Sequence, residues 1–221
     1  MAGVAGDMDQ EPTGSSTMAG AHTVTTLAGV KMPAILYGTA WKKERTTDLV
    51  VQAVKAGFCG IDTACQPKHY RQDLVGQALQ QLEAEGIPRS ALFIQTKYTP
   101  FRGQDPNNIP YDPRAPLEAQ VEQSVQVSLK QLHTPYLDSL VLHSPLETHA
   151  DTMRVWRVFE AYHAKGTARQ LGISNTSFPQ LADLLRDAVV PPAVVQNRFY
   201  TDTGFDRQMR AALAQRGIWY Q

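Results

Sequence analysis

The chain has 221 residues, and its 21 lysines and arginines balance its 21 aspartates and glutamates. Hydrophobic residues make up 43% of it, which is enough for a packed core and excludes a fully disordered chain. The zero net charge, and the lack of any apolar run near the ~20 residues that span a bilayer, argue against a nucleic-acid or membrane partner.

The first 21 residues are rich in Gly, Ala, Ser and Met and show no basic start, apolar segment or Arg-rich amphipathic pattern. They predict a disordered N-terminal tail over residues 1–21 and argue against a signal or transit peptide. The two cysteines, Cys59 and Cys65, are too few for a disulfide framework and match no zinc-site spacing. We therefore expect reduced thiols, no bound metal and a cytoplasmic location.

A small hairpin is predicted first, because strand-like residues at 23–27 and 31–34 flank a turn at Gly29. Apolar residues with a 3.6-residue period then predict six amphipathic helices. Their apolar stripes cover residues 49–54, 74–82, 117–132, 153–159, 178–185 and 205–213. Glycine follows four of these stripes, as is typical of helix ends, and Ser177 is a good N-cap for the fifth helix.

Short apolar runs without alternation lie between the helices and indicate a parallel sheet covered by helices. Seven strands are predicted, over residues 35–39, 58–62, 92–97, 139–143, 169–174, 193–196 and 218–220. A doubly wound open sheet and a (β/α)8 TIM barrel both fit this alternation. The first strand is not followed by G-x-G-x-x-G, and polar residues end several strands, which favours the barrel. The predicted fold is an incomplete α/β barrel over residues 22–221, without its eighth strand and final helices.

Ionisable side chains stand at the ends of three predicted strands: Asp62, Lys97 and His143. In a parallel barrel the carboxyl ends of the strands face one rim, and active sites are built there. Tyr70, in the segment after Asp62, is near enough along the chain to reach the same rim. A proline-rich loop over residues 98–116 follows Lys97, and we expect it to cover the site as a lid.

The combination of Asp, Tyr, Lys and His resembles the catalytic tetrad of the aldo-keto reductases. Other motifs of that family occur in the same order, so that the resemblance covers roughly residues 23–221. They are Gly60-Ile61-Asp62-Thr63-Ala64, Val75-Gly76, Leu171-Gly172-Ile173-Ser174-Asn175 and Val195-Gln196-Asn197. The resemblance implies NADPH-dependent reduction of aldehydes or ketones to alcohols, with a small carbonyl compound as the substrate.

The resemblance also implies a catalytic role for four residues. Tyr70 would protonate the carbonyl oxygen, and a neighbouring Lys97 cation would favour the phenolate and strengthen this acid. Asp62 would pair with Lys97 and keep the cation in place. His143 would hydrogen-bond the carbonyl oxygen and orient it.

Contacts to cofactor and substrate are implied in the same way. Ser174, Asn175 and Gln196 match residues that hold the nicotinamide carboxamide, and Tyr220 matches the aromatic residue on which the nicotinamide stacks. Gly38, Thr39 and Asp62 are further cofactor-binding candidates. The candidates for the substrate pocket are Trp41, Tyr98 and His143.

Two features depart from the family pattern. Asp62 and Tyr70 are eight residues apart, a longer interval than is usual in the family, and this makes Tyr98 the nearest rival for the acid. The eighth strand and the basic residues that hold the adenosine phosphates have no counterpart, so we expect a truncated member that binds NADPH weakly or not at all.

Two other functions stay open at this point. The chain is alternatively a non-catalytic relative that uses the fold for binding or regulation, or an inactive fragment. A metal-dependent barrel hydrolase is a further possibility, but it needs ligands on several strands and only Asp62 and His143 qualify.

Overall fold

The computed structural model describes residues 22–221, so the predicted tail over residues 1–21 lies outside the described part. Strands and helices alternate along the described chain. In order they are β1 (Thr23–Thr25), β2 (Lys31–Pro33), β3 (Tyr37–Gly38), α1 (Thr46–Lys55), β4 (Gly60–Asp62), α2 (Gln72–Ala84), β5 (Phe93–Tyr98), α3 (Leu117–Gln131), β6 (Ser139–Leu142), α4 (His149–Ala164), β7 (Leu171–Ser174), α5 (Phe178–Asp187), β8 (Val194–Gln196), α6 (Arg207–Gln215) and β9 (Trp219–Tyr220).

Seven of the strands form one parallel sheet in the chain order β3-β4-β5-β6-β7-β8-β9. This sequential order, with a helix after almost every strand, is that of a (β/α) barrel and confirms the predicted fold class. Within residues 22–221, β3 and β9 are the two edges of the sheet and do not pair with each other. The predicted hairpin is also confirmed, because β1 and β2 pair antiparallel and Gly29 in their turn has a φ of 74°.

The two faces of the sheet carry different residues. The outer face packs apolar side chains such as Ile94 and Leu142 against helix residues such as Trp156 and Phe159, and this is the main core. The inner face has a small apolar cluster near the amino ends of the strands, where Met32 of β2 contacts neighbouring strand residues. Towards the carboxyl ends the inner face is polar and carries buried residues such as Asp62, Gln95 and Lys97. This end of the sheet therefore has polar groups that can contact a ligand.

The helix ends follow the predicted signals. The glycines after four helices, at positions 57, 86, 166 and 217, all have positive φ angles. Ser177 caps α5 with a complete capping box, in which its hydroxyl accepts from the Gln180 N–H and the Gln180 side chain accepts from the Ser177 N–H. Four C-terminal signals and one N-terminal signal are thereby confirmed.

Two predicted boundaries were wrong. The strand over residues 35–39 was expected to be buried, but only Tyr37 and Gly38 pair, and Ile35 is 69% exposed, because this edge strand has a neighbour on one side only. The last helix was expected to include Phe205. Phe205 and Asp206 instead adopt left-handed backbone angles, and α6 begins at Arg207.

Among the described helices, none combines the length and the apolar character that crossing a bilayer requires.

The contact between α2 and α3 generates a prediction about stability. A Cβ atom added to Gly76 would lie 1.8 Å from the backbone oxygen of Gln131, so the two helices touch only because position 76 has no side chain. Alanine favours an isolated helix over glycine by about 1 kcal/mol. We nevertheless expect Gly76→Ala to lower the free energy of unfolding by about 2 kcal/mol in urea titrations, because α3 must move.

Gln77→Ala is the matched control, since Gln77 is the next residue in α2 and is exposed. We expect this variant to be as stable as the unmodified chain or slightly more stable. A Gly76→Ala variant that is equally stable would contradict the described approach of the two helices.

Candidate active site

The predicted residues at the strand ends meet on the inner face of the sheet. Asp62 is the last residue of β4 and pairs in register with Gln95 of β5. Lys97 lies two residues beyond Gln95 and therefore points to the same face of the strand. His143 follows β6 directly, next to the end of β5. The structure thus brings Asp62, Lys97 and His143 to one rim.

A buried ion pair joins two of these residues. The Lys97 ammonium lies 2.7 and 2.6 Å from the two carboxylate oxygens of Asp62, and it also donates to the Thr63 carbonyl at 2.9 Å. The two side chains are 1% and 13% exposed, respectively. All three ammonium protons are therefore used, which is how a cation avoids the cost of being buried without partners.

Tyr70 lies beside this pair but does not hydrogen-bond it. The Lys97 Nζ is 5.3 Å from the centre of the Tyr70 ring, and that ring stands edge-on to His143 with 6.1 Å between ring centres. Within residues 22–221 the Tyr70 hydroxyl has no hydrogen-bond partner. The turn that carries Tyr70 is closed by its backbone N–H, which donates to the Gln66 carbonyl at 3.0 Å. The longer segment after Asp62 still delivers the ring to the rim.

The electrostatics at Tyr70 differ from the expectation. Burial, and secondly the Asp62 carboxylate, raise the pKa of the Tyr70 phenol above its ordinary value. A lowered pKa was expected from the nearby cation, but Lys97 directs its protons to Asp62 and Thr63, not to the phenol. The phenol is therefore neutral and keeps its proton throughout the physiological pH range.

His143 is held by three hydrogen bonds, two through its backbone and one through its imidazole. Its backbone N–H donates to the Tyr98 carbonyl at 2.9 Å, and its own carbonyl accepts from the Asn175 amide at 2.8 Å. Its Nδ1 atom lies 2.6 Å from the hydroxyl oxygen of Thr99. Burial, and then the Lys97 charge, lower the pKa of His143 to about 3, so the ring is neutral near pH 7.

Three predicted amide-binding residues stand together at the ends of β7 and β8. Ser174 donates to the Gln196 carbonyl at 2.6 Å, and the Asn175 amide nitrogen lies 3.2 Å from the Ser174 hydroxyl. The Gln196 amide nitrogen lies 3.4 Å from the Asp62 carboxylate, which links this group to the ion pair. Within the described chain the side-chain oxygens of Asn175 and Gln196 accept no hydrogen bond. This set of donors and free acceptors suits a carboxamide.

A cavity opens beside these residues. It has a volume of about 510 Å³ and extends from Gly38, Asp62 and Gln196 towards Met32, between the two edges of the sheet. Trp41, in the segment after β3, is 65% exposed. Its ring lies against the His69 ring, with 4.0 Å between centres. Gly38 and Trp41 therefore remain candidates for ligand contact.

The structure places three predicted site residues elsewhere. Tyr98 follows Lys97 on the strand and so points to the outer face, where it packs against Tyr111. Thr39 has no exposed surface, and its hydroxyl donates to the Asp62 carbonyl at 2.9 Å, so it supports the rim rather than contacting a ligand. Tyr220 also points outwards, where it packs against the main core and its hydroxyl donates to the Asp206 carboxylate at 3.1 Å, although part of the residue borders the cavity described above.

Some residues of the site were not predicted. Gln95 donates to Asp62 at 2.8 Å, Gln221 accepts from Gln95 at 2.8 Å, and Thr99 contacts His143. Gln95 and Thr99 lie two residues before and after Lys97, and strand alternation places all three on one face. The two-residue spacing from Lys97 could therefore have identified Gln95 and Thr99 from the sequence. No sequence pattern pointed to Gln221.

The proline-rich loop after β5 is anchored to the rim by hydrogen bonds. The Gln66 amide donates to the Gly103 carbonyl at 2.6 Å, and the buried Gln104 amide donates to the carbonyls of Cys65 and Thr99. The Tyr111 hydroxyl donates to the same Thr99 carbonyl at 2.9 Å. These contacts hold the loop against the segment that leads to Tyr70.

No group of three or more His, Cys, Asp or Glu side chains is arranged to hold a metal ion within residues 22–221.

Almost the whole described chain is similar to known proteins. Residues 29–218 match the family model described as the Aldo/keto reductase family. An NAD/NADP-dependent indole-3-acetaldehyde reductase of Schizosaccharomyces pombe is 30% identical over 184 residues, which are 78% of this chain and 57% of the relative. An NADPH-dependent alpha-keto amide reductase of Saccharomyces cerevisiae is 31% identical over 188 residues, 77% of this chain and 54% of the relative. The chain spans little more than half the length of these curated relatives.

Solved structures show the same fold. A Bombyx mori aldo-keto reductase in complex with NADP superposes with a TM-score of 0.76 at 24% identity, over 91% of this chain and 65% of that one. An aldo/keto reductase from Brucella melitensis superposes with a TM-score of 0.71 at 25% identity, over 90% of this chain and 71% of that one.

The buried ion pair predicts a specific loss of stability. Lys97→Met leaves the Asp62 carboxylate buried without its cation, and we expect the free energy of unfolding to fall by about 3 kcal/mol. Adding Asp62→Asn to this variant removes the unpaired charge while keeping an acceptor for Gln95. We expect the double variant to lose only about 1 kcal/mol in the same denaturant titration. Equal losses of stability for the single and double variants would show that the loss in Lys97→Met does not come from the unpaired Asp62 charge.

The neutral His143 ring predicts a dependence of stability on pH. Above pH 6.5 the ring is neutral in both the folded and unfolded chain, but between pH 6.5 and about 3 the unfolded chain binds a proton that the folded chain does not. Stability therefore falls as the pH falls through this window, by at most about 1.4 kcal/mol per pH unit from this group.

His143→Gln removes this titration. We expect the free energy of unfolding of the variant to fall less steeply between pH 6.5 and 4.5 than that of the unmodified chain, as measured by urea titration at each pH. If the free energy of unfolding depends on pH in the same way for both proteins, the His143 ring is not kept neutral by its burial in the folded chain.

Proposed function

The chain belongs to the aldo/keto reductase family, and from that premise we propose that it reduces an aldehyde or ketone to an alcohol with a nicotinamide cofactor, NADPH. The observation that carries the proposal is the grouping of a neutral phenol, a buried cation and a neutral imidazole at one rim. The printed names of relatives agree with it, since they describe reductases that use NAD, NADP or NADPH.

The nicotinamide end of the cofactor fits the residues at the ends of β7 and β8. A carboxamide needs both hydrogen-bond donors and acceptors, and the free side-chain oxygens of Asn175 and Gln196 supply acceptors beside the Ser174 hydroxyl. We propose that these three residues hold the carboxamide. Tyr220 is not part of this proposal, because its ring faces the outside of the sheet. When bound, the cofactor supplies the hydride that is added to the carbonyl carbon.

Tyr70 is proposed as the proton donor. Its raised pKa means that it does not release its proton to water near pH 7, so it protonates only an oxygen that is more basic than a phenolate. The alkoxide oxygen of a reduced carbonyl substrate would be such an oxygen. The proton of the Tyr70 hydroxyl then moves to this oxygen, and the product is a neutral alcohol.

Lys97 and Asp62 are proposed to stabilise the phenolate that remains. The Lys97 ammonium is 5.3 Å from the centre of the Tyr70 ring, close enough for its charge to act through the poorly hydrated interior. Asp62 holds this ammonium with two hydrogen bonds and prevents it from moving to solvent. The neutral His143 ring donates a hydrogen bond to the carbonyl oxygen and orients it towards Tyr70.

The proposal predicts the effect of one hydroxyl group. Tyr70→Phe keeps the ring and its contacts but removes the proton, and we expect kcat for a generic aldehyde to fall by at least ~100-fold. Loss of NADPH absorbance measures the turnover. Tyr98→Phe is the matched control, because Tyr98 neighbours Lys97 on the strand but faces the outer core, and its turnover should stay within a few-fold of the unmodified chain.

Binding of NADPH is measured separately by quenching of tryptophan fluorescence, and we expect Tyr70→Phe to bind as the unmodified chain does. If the unmodified chain binds NADPH and reduces the aldehyde, and Tyr70→Phe has the same kcat, the proposed role of Tyr70 is contradicted. A folded chain that binds no NADPH would agree with the expectation drawn from the missing eighth strand and phosphate-binding residues. It would contradict the reductase proposal and favour a non-catalytic binding or regulatory role.

A further inference from the structure

The residue after Tyr98 makes a contact whose role the proposed reaction leaves open. The Thr99 hydroxyl oxygen lies 2.6 Å from Nδ1 of His143, and Thr99 is only 3% exposed. We propose that Thr99 is a positioning residue that fixes His143 in the tautomer with its proton on Nε2. This inference rests on the proposed function for its catalytic consequence, but not for the tautomer itself.

The backbone around this contact is fixed on both sides. The Thr99 carbonyl accepts from the Tyr111 hydroxyl at 2.9 Å and from the Gln104 amide at 3.1 Å. The His143 backbone is held by Tyr98 and Asn175, as described above. Neither partner of the 2.6 Å contact is therefore free to swing away.

The rotamer of Thr99 is fixed as well. Its methyl carbon lies where a Cβ atom on Gly103 would be only 2.7 Å away, so the methyl group fills the space that this glycine leaves in the loop. With the methyl group on the loop side, the hydroxyl is directed to His143. Because threonine is β-branched and restricted at χ1, its hydroxyl stays directed to His143.

The direction of the hydrogen bond follows from counting donors and acceptors. A neutral imidazole carries a proton on one nitrogen only. If that nitrogen were Nδ1, it would donate to Thr99, and the Thr99 proton would need another acceptor. Within residues 22–221 the Thr99 hydroxyl has no other partner, and it is shielded from solvent. If Thr99 donates instead, the buried hydroxyl is satisfied, and the one proton left without a partner is on Nε2 of His143, a residue that is partly exposed. This arrangement is favoured, because a buried unpaired hydroxyl is costly and is avoided.

The consequence lies on the other side of the ring. With Nδ1 accepting from Thr99, Nε2 carries the proton and has no partner within the described chain. It is therefore a free donor beside the Tyr70 ring, which is what a carbonyl oxygen requires. The opposite tautomer would present a lone pair to that oxygen and repel it. A hydroxyl just beyond the end of β5 thus decides whether His143 can orient a substrate.

The test compares Thr99→Val, which removes the hydroxyl at nearly constant shape, with Thr99→Ser, which keeps it. Nitrogen-15 NMR of the histidine side chains reports the tautomer in the folded chain without substrate, and His143→Gln identifies the signal. We expect an unprotonated Nδ1 and a protonated Nε2 in the unmodified chain and in Thr99→Ser, and a shifted or mixed pattern in Thr99→Val.

Turnover gives the second readout. We expect kcat to fall about tenfold or more in Thr99→Val and to be restored within a few-fold in Thr99→Ser, with NADPH binding unchanged in both. A protonated Nδ1 in the unmodified chain, or identical nitrogen shifts in Thr99→Val, would overturn the assignment of the tautomer.

The two proposals fail in distinguishable ways. If no variant and no unmodified sample turns over an aldehyde, the proposed function is contradicted, while the NMR pattern still decides the tautomer. If the unmodified chain is active and Thr99→Val changes the nitrogen shifts but not kcat, the positioning role is contradicted.

Discussion

The ion pair between Lys97 and Asp62 is the interaction on which the described site depends. An ammonium group that is 1% exposed is tolerated only if each of its protons is bonded, and here two go to one carboxylate and the third to a backbone carbonyl. The same carboxylate accepts from Gln95 and approaches Gln196, and both amides reach Gln221. The pair is thus the centre of a polar network that ties β4, β5, β8 and the end of β9 across the inner face.

The alternation of side chains along the strands explains why this network is possible. In β5, Gln95 and Lys97 point inwards while Ile94 and Tyr98 point into the core between sheet and helices. One short strand therefore contributes to the stability of the fold and to the chemistry of the rim at once. Thr99 continues the inward series just beyond β5, which is why its hydroxyl meets His143.

Much of this arrangement was predictable from the sequence, and the reasons are local. The fold follows from helix periodicity and apolar strands, and the meeting of Asp62, Lys97 and His143 follows from parallel strands sharing one rim. The errors came from tertiary context. Tyr220 was matched by position, but the pairing of β9 turns its ring outwards. Ile35 was expected in a buried strand, but it precedes an edge strand with one neighbour.

The charge balance at Tyr70 depends on three-dimensional detail that no spacing reveals. A cation near a phenol predicts a lowered pKa. The pKa of Tyr70 is instead raised by burial and by the negative charge of the Asp62 carboxylate, which accepts hydrogen bonds from the cation.

The most direct test of the proposed reaction is isotope transfer. With NADPH deuterated at C4 of the nicotinamide and a generic aldehyde, we expect an alcohol that carries deuterium on the former carbonyl carbon, and a strongly reduced yield with Lys97→Met. A folded chain that binds this cofactor but yields no deuterated alcohol would contradict the account.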